Sequence, residues 1–188
     1  MRPPIENSYV IPGSTLAAGE YPGAKPDPGD VGARRKLARF LDAGFTAFVD
    51  LTQPVDPLAP YWSTLQAMAA ERDIDVRHDR LGIADMGVCG TDHMTRVLDR
   101  IDARLAEGRR VYVHCWGGVG RTGMVVGCWL VRRGRSGEEA LREVQALFDA
   151  MAKEKVERHR VTGSPQTDAQ RAMVLGWHRH ERARADRA

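Results

Sequence analysis

Apolar side chains recur at helical spacing at Leu37, Phe40 and Leu41 and stop at Gly44, so a helix is expected there, capped by Asp30. The next stretch, FTAFVDL from Phe45 to Leu51, is apolar almost throughout and reads as a buried strand. A second helix-strand pair follows. Tyr61, Leu65 and Met68 share one helix face, and Ile74 to Leu81 alternates apolar with polar positions as a half-exposed strand does. A third pair begins where Thr91 or Asp92 can cap a helix that aligns Met94, Val97, Leu98, Ile101 and Leu105, with Gly108 as its stop. Val111 to Val113 is then a short buried strand. Beyond it the pattern turns helical, from Thr122 to Arg133, from Ser136 to Met151 behind the capping box Ser136/Glu139, and from Thr167 to about Arg184.

Helices alternating with strands and followed by a helical end predict an α/β fold: a central, mostly parallel sheet of about four to five strands with helices on both faces. The whole chain, residues 1–188, is expected to form a single domain. Residues 1–30 read as an irregular lead-in, whose SYVIPGSTLAAGEYPG holds short β-like pieces broken by Pro and Gly. Residues 185–188 read as a frayed tail.

Composition narrows the function by exclusion. Lys and Arg number 28 against 25 Asp and Glu, an excess of three that by itself argues neither for nucleic acid nor for a membrane surface. Three cysteines, Cys89, Cys115 and Cys128, do not make a secreted disulfide framework and suit a reducing compartment. The start MRPPIENSYV lacks an apolar signal core, and the longest apolar run, Met124 to Val131, is too short to span a bilayer. A cytoplasmic protein is expected. The oligomeric state is not legible.

The chemistry concentrates in HCWGGVGRTG, His114 to Gly123, between the last expected strand and a helix. Glycine-permitted turns there can aim the N–H groups of Trp116, Gly117, Gly118, Val119, Gly120 and Arg121 at one point, which suits a phosphate. The helix behind adds the positive end of its dipole, and Arg121 adds a planar fork for two phosphate oxygens. The same positive field favours the thiolate of Cys115, a nucleophile that needs no separate base.

This pattern resembles the signature of the cysteine-dependent protein tyrosine phosphatases, which runs His-Cys, five residues, Arg, then Ser or Thr. His114, Cys115, Gly118, Arg121 and Thr122 carry the match. The resemblance implies a dual-specificity-like phosphatase with no cofactor or metal. Cys115 would form a phosphocysteine intermediate, Arg121 would bind the transferred phosphoryl group, and the Thr122 hydroxyl would help the thiolate leave. His114 would orient the loop by hydrogen bonding rather than move protons.

Expelling an alkoxide or phenoxide from phosphorus needs an acid. Asp85, in the Gly-flanked LGIADMGVCG just past the second strand, is preferred to Asp92, which can instead cap the next helix. The small dual-specificity members place their acid at similar spacing, although the Trp-Pro-Asp sequence of many tyrosine phosphatases is missing here. The segment PQTDAQ resembles the glutamine loop of tyrosine phosphatases, which would make Gln166 or Gln170 the holder of the hydrolytic water; a capped helix start is the other reading. Trp116 can stack on a substrate or pack on a neighbouring loop, and Asp50 can brace Arg121 or only end its strand. By the family's example Cys89 would be a redox partner of Cys115, against the plainer reading of a loop thiol. Cys128 reads as a small buried hydrophobe. His178 and His180, two residues apart, do not share a helix face, so no metal site is expected.

The expected activity is hydrolysis of phosphate monoesters, phosphotyrosine first, with phosphoserine and phosphothreonine also admitted because the short chain builds no evident deep pocket. Partners are then a phosphorylated protein or a small aryl phosphate, with no nucleic acid and no membrane. No basic residue stands between Trp116 and Gly120, which disfavours highly anionic substrates. Phosphoinositides, RNA 5′ ends and a non-catalytic phosphate-binding module, a pseudophosphatase, remain the alternatives.

Overall fold

The computed structural model describes residues 2–23 and 31–186. Asp30, expected to cap the first helix, and the connector before it lie outside the described residues, as does the tail beyond Asp186. The described elements run β1 (Ser8–Val10), β2 (Leu16–Gly19), α1 (Val31–Asp42), β3 (Phe45–Asp50), α2 (Trp62–Ala70), β4 (Arg77–Arg80), α3 (Thr91–Ala106), β5 (Arg110–His114), α4 (Gly120–Arg132), α5 (Gly137–Asp149), α6 (Lys153–Arg158) and α7 (Asp168–Ala185).

The five strands form one sheet in the order β1-β2-β5-β3-β4, with β1 antiparallel to β2 and every other pair parallel. The expected α/β architecture is therefore present. Alternate side chains divide the sheet between two apolar layers. Phe45, Phe48 and Tyr112 face α1 and α2, where Phe40 packs edge-on to Tyr112 with ring centroids 4.5 Å apart. Ala47, Val49, Val111 and Val113 face the other layer with α3, α4, α5 and α7. α4 is the central helix of that layer: Gly120 through Val131 are all buried, so its sequence shows no polar stripe.

Several boundaries differ from the sequence reading. The lead-in supplies two sheet strands, and β2 is buried along its whole length between β1 and β5. A four-residue strand covered on both faces leaves no alternation to read. The Ile74 to Leu81 strand shrinks to Arg77–Arg80 because, among the described residues, it pairs with β3 alone, while Ile74 closes the end of α2 by donating its N–H to Ala69. Neither Thr91 nor Asp92 caps α3; Gly90 holds that position without a side-chain bond. α4 starts at Gly120 rather than Thr122. The six-residue α6 had no sequence expectation. Where local chemistry alone decides, the reading holds: Ser136 and Glu139 form both bonds of a capping box. Thr167 and Gln170 form a second one.

Candidate active site

β5 ends at His114, and the next five residues turn back directly into α4. Cys115 is buried at the bottom of that turn, and its Sγ accepts the Gly118 N–H at 3.3 Å. Gly118 has φ +75, and a Cβ there would lie 2.3 Å from the Gly19 carbonyl carbon and 2.5 Å from the Glu20 nitrogen. Both the conformation and the close approach of β2 thus require glycine. Two loops hold the turn in place. The Tyr21 N–H donates to the Trp116 carbonyl at 3.0 Å, and the Ser164 hydroxyl donates to the Val119 carbonyl at 2.8 Å.

Arg121, in the first turn of α4, is 1% exposed. Its Nη1 donates to Asp56 Oδ2 at 2.7 Å, the Ile83 carbonyl at 3.0 Å and the Leu51 carbonyl at 3.4 Å. Its Nε and Nη2 are buried without a hydrogen-bond partner, and so is the neighbouring Thr122 Oγ1. Nη2 lies 2.9 Å from Asp85 Oδ1, an ion pair without hydrogen-bond alignment. Burial works against the guanidinium charge, but Cys115, Asp56 and Asp85 outweigh it and raise the pKa above its ordinary value. Asp56 occupies one nitrogen and leaves the Nε–Nη2 edge, the one shaped for two oxygens of a tetrahedral anion, with no hydrogen bond and only the Asp85 ion pair. Buried polar groups are almost always paired within a protein. Three without a hydrogen bond beside a buried cysteine and a helix N-terminus together fit a phosphate.

The two candidate acids separate in space. Asp85 is half exposed with its carboxylate on Arg121, whereas Asp92 is exposed in the first turn of α3 with no hydrogen bond or ion pair shown to the cysteine turn. The two glutamines separate as well. Gln170 is fully buried, its Oε1 accepting the N–H groups of Gln166 and Thr167 and its Nε2 donating to the Gly87 carbonyl at 3.0 Å. It ties α7 to the Asp85 loop. Gln166 is half-buried and lies against Gly120, where an added Cβ would meet its own at 3.2 Å; its Nε2 has only His159 Nδ1, at 3.5 Å.

Behind the turn, His114 is fully buried. Burial dominates over the Asp50 charge and pushes its pKa down to about 4, so the ring is neutral at pH 7. Nδ1 lies 3.4 Å from the Cys115 carbonyl, which can only accept, so Nδ1 carries the proton and Nε2 accepts the Tyr61 hydroxyl at 2.8 Å. These two contacts hold the ring against the start of the turn. Between pH 6.5 and 4 the unfolded chain binds a proton at this histidine that the native state refuses, so stability falls with pH across that window, by roughly 3 kcal/mol at most. Unfolding free energies measured across pH 4 to 7 are expected to show the drop, and His114→Asn to flatten it; an unchanged slope in the variant would refute the assignment.

Asp50 does not brace Arg121. Burial raises its pKa, but His114, the His78 hydrogen bond and two bonds from Thr52 lower it further and hold it well below the carboxylate range. Arg80 also donates to it. The brace is Asp56, which sequence reasoning missed; its only signal is a carboxylate in the Pro-flanked loop leaving β3 at the edge where the cysteine turn sits. Cys89, Cys115 and Cys128 are all free thiols. Cys89 packs against the core, and burial raises the pKa of Cys89 and, more strongly, of Cys128. Trp116 is half-buried.

The fold resembles solved phosphatase structures. The active form of Tk-PTP aligns with a TM-score of 0.64 at 25% identity, over 92% of this chain and 97% of that one. Kinase-associated phosphatase, KAP, solved with its catalytic-site cysteine replaced by serine, gives 0.66 at 18%, over 89% and 88%. PTPMT1 in complex with PI(5)P gives 0.64 at 19%, over 90% and 94%. The family model for the phosphatase domain of Swiss Army Knife proteins matches residues 29–174, most of the chain and the whole cysteine turn. With both fold and family model agreeing, the chain belongs to the dual-specificity-type protein tyrosine phosphatases as a member of this PTP-SAK family.

Proposed function

We propose that the protein hydrolyses phosphate monoesters, phosphotyrosine first and phosphoserine and phosphothreonine as well, through a phosphocysteine intermediate. The observation that carries this reading is the set of buried donors without a hydrogen-bond partner, Arg121 Nε, Arg121 Nη2 (ion-paired to Asp85) and Thr122 Oγ1, in the helix turn that follows Cys115. The phosphate takes the free edge of Arg121, and Asp85 moves from that edge to the leaving oxygen. The Cys115 thiolate attacks phosphorus, the P–O bond to the leaving group breaks, and the Asp85 carboxyl gives its proton to the departing oxygen. Water then attacks the phosphocysteine, the Asp85 carboxylate takes the water's proton, and the S–P bond breaks to release inorganic phosphate. Thr122 donates to the leaving sulfur. Gln166 is the water holder, because both ends of the Gln170 amide already serve the α7 cap and the Gly87 carbonyl.

Phosphate release from an aryl phosphate between pH 5 and 7 tests the reading; no turnover by the wild-type protein would leave a phosphate-binding module instead. The acid has its own signature. Asp85→Asn is expected to slow alkyl phosphates by about 10²–10³-fold and aryl phosphates less, since a phenoxide leaves more easily unprotonated. Asp92→Asn is expected to leave both rates unchanged. If the two variants behaved the other way round, the acid would be Asp92.

A further inference from the structure

Between Cys115 and Arg121 the sequence offers no cation, yet the fold brings one in from α6. Lys155 is 6% exposed, and its Nζ lies 3.6 Å from where a Cβ on Gly117 would stand. The Val119 side chain, 3.7 Å from the same point, borders that side of the turn. Glu20, next to the β2 backbone against which Gly118 packs, holds the ammonium at 3.6 Å through Oε2. His159 follows one turn on, close enough for Lys155 to help burial lower its pKa, and it in turn touches Gln166. Lys155 and Gln166 therefore border the turn, with His159 against Gln166. At any residue the N–H and the Cβ directions diverge. A cation on the Cβ side of Gly117 thus flanks, rather than caps, an anion held by the loop N–H groups and Arg121.

We infer that Lys155 is a specificity-determining residue that selects monoesters carrying a second phosphate on the carbon next to the one being hydrolysed. It stands where a basic side chain at position 117 would reach, so the electrostatic argument against highly anionic substrates, drawn from the loop sequence alone, no longer holds. A vicinal phosphate on a small polyol fits this placement better than a second phosphorylated residue of an extended peptide, because successive side chains there point to opposite faces and the next on the same face stands about 6.6 Å along the chain. The inference rests on the phosphomonoester-hydrolase reading of the Cys115 turn and puts a small bisphosphate ahead of phosphoprotein as its preferred substrate.

The test is a ratio of kcat/KM, which does not depend on the folded fraction of a preparation. Wild type is expected to prefer 2,3-bisphosphoglycerate to 2-phosphoglycerate and 3-phosphoglycerate by about tenfold or more, the scale of a hydrogen bond to a charged group. Lys155→Met is expected to bring the ratio near one, and Lys155→Arg to restore most of it. A ratio near one in wild type, or one that survives Lys155→Met, would overturn the inference; equal losses on all substrates would mean that Lys155 has a structural role only. A doubly phosphorylated pThr-x-pTyr peptide gaining more from Lys155 than bisphosphoglycerate does would move the second phosphate to a peptide and also overturn it. p-Nitrophenyl phosphate serves as the control for the parent reading. Should wild type not hydrolyse it, the phosphatase reading falls. Lys155 is then still decided by calorimetry on Cys115→Ser, where inorganic pyrophosphate must bind more tightly than phosphate, and lose that advantage when Lys155→Met is added.

Discussion

Cys115→Ser is expected to lower phosphate monoester turnover by at least about 10⁴-fold while the protein stays folded and still binds phosphate. The size follows from chemistry. A thiolate attacks phosphorus without a separate base, whereas a serine hydroxyl in the same place needs one and His114 is turned away, with its ring nitrogens on Tyr61 and the Cys115 carbonyl. The persistence of binding follows from geometry. The start of α4 and the Nε–Nη2 edge of Arg121 do not depend on sulfur, a serine Oγ can accept the Gly118 N–H that Sγ now accepts, and oxygen is smaller, so the buried turn keeps its shape. Calorimetry with inorganic phosphate and a thermal melt, run beside a turnover assay, separate the two effects. Residual turnover within tenfold of wild type would mean that another group attacks phosphorus. Loss of phosphate binding with an unchanged melting temperature would mean that the cysteine, not the loop, holds the anion.

What could be read from the sequence was whatever local rules decide. The capping boxes at Ser136/Glu139 and Thr167/Gln170 involve residues three apart and form as the side chains dictate. The Cys115 turn is equally local: a strand, a glycine-rich reversal and a helix start within one short run. The rest of the site depends on which edges meet. Asp56 reaches Arg121 only because β3 and β5 are neighbours and both end at the same edge of the sheet. Lys155 reaches Gly117 only because α6 folds back over the turn, and six residues are too few to announce a helix by periodicity. Asp50 and Gln170 show the opposite difficulty. Each is a polar residue at a place where a role in the site is plausible, and in each case nearer partners claim it: Thr52 and His78 for the carboxylate, the α7 cap and Gly87 for the amide.

Arg121→Lys is expected to reduce kcat/KM by about 10³-fold, with most of the loss in kcat. A guanidinium has separate edges, and the structure uses them separately: Nη1 is fixed by Asp56, Ile83 and Leu51, and Nε with Nη2 is left for the substrate. A lysine ammonium is a single point and cannot satisfy a buried carboxylate and grip two phosphoryl oxygens at once. This makes Asp56 a positioning residue, and the pair can be tested as a pair. Asp56→Asn keeps the volume and one acceptor oxygen but removes the charge, and should cost about tenfold in kcat/KM when Arg121 is present. In the Arg121→Lys background the same change should cost almost nothing, because the edge it positions is gone. The inhibition constant of inorganic phosphate should follow the same non-additive pattern, which a general loss of stability would not produce. Equal costs of Asp56→Asn in the two backgrounds would show that Asp56 acts on the loop leaving β3 and not through Arg121.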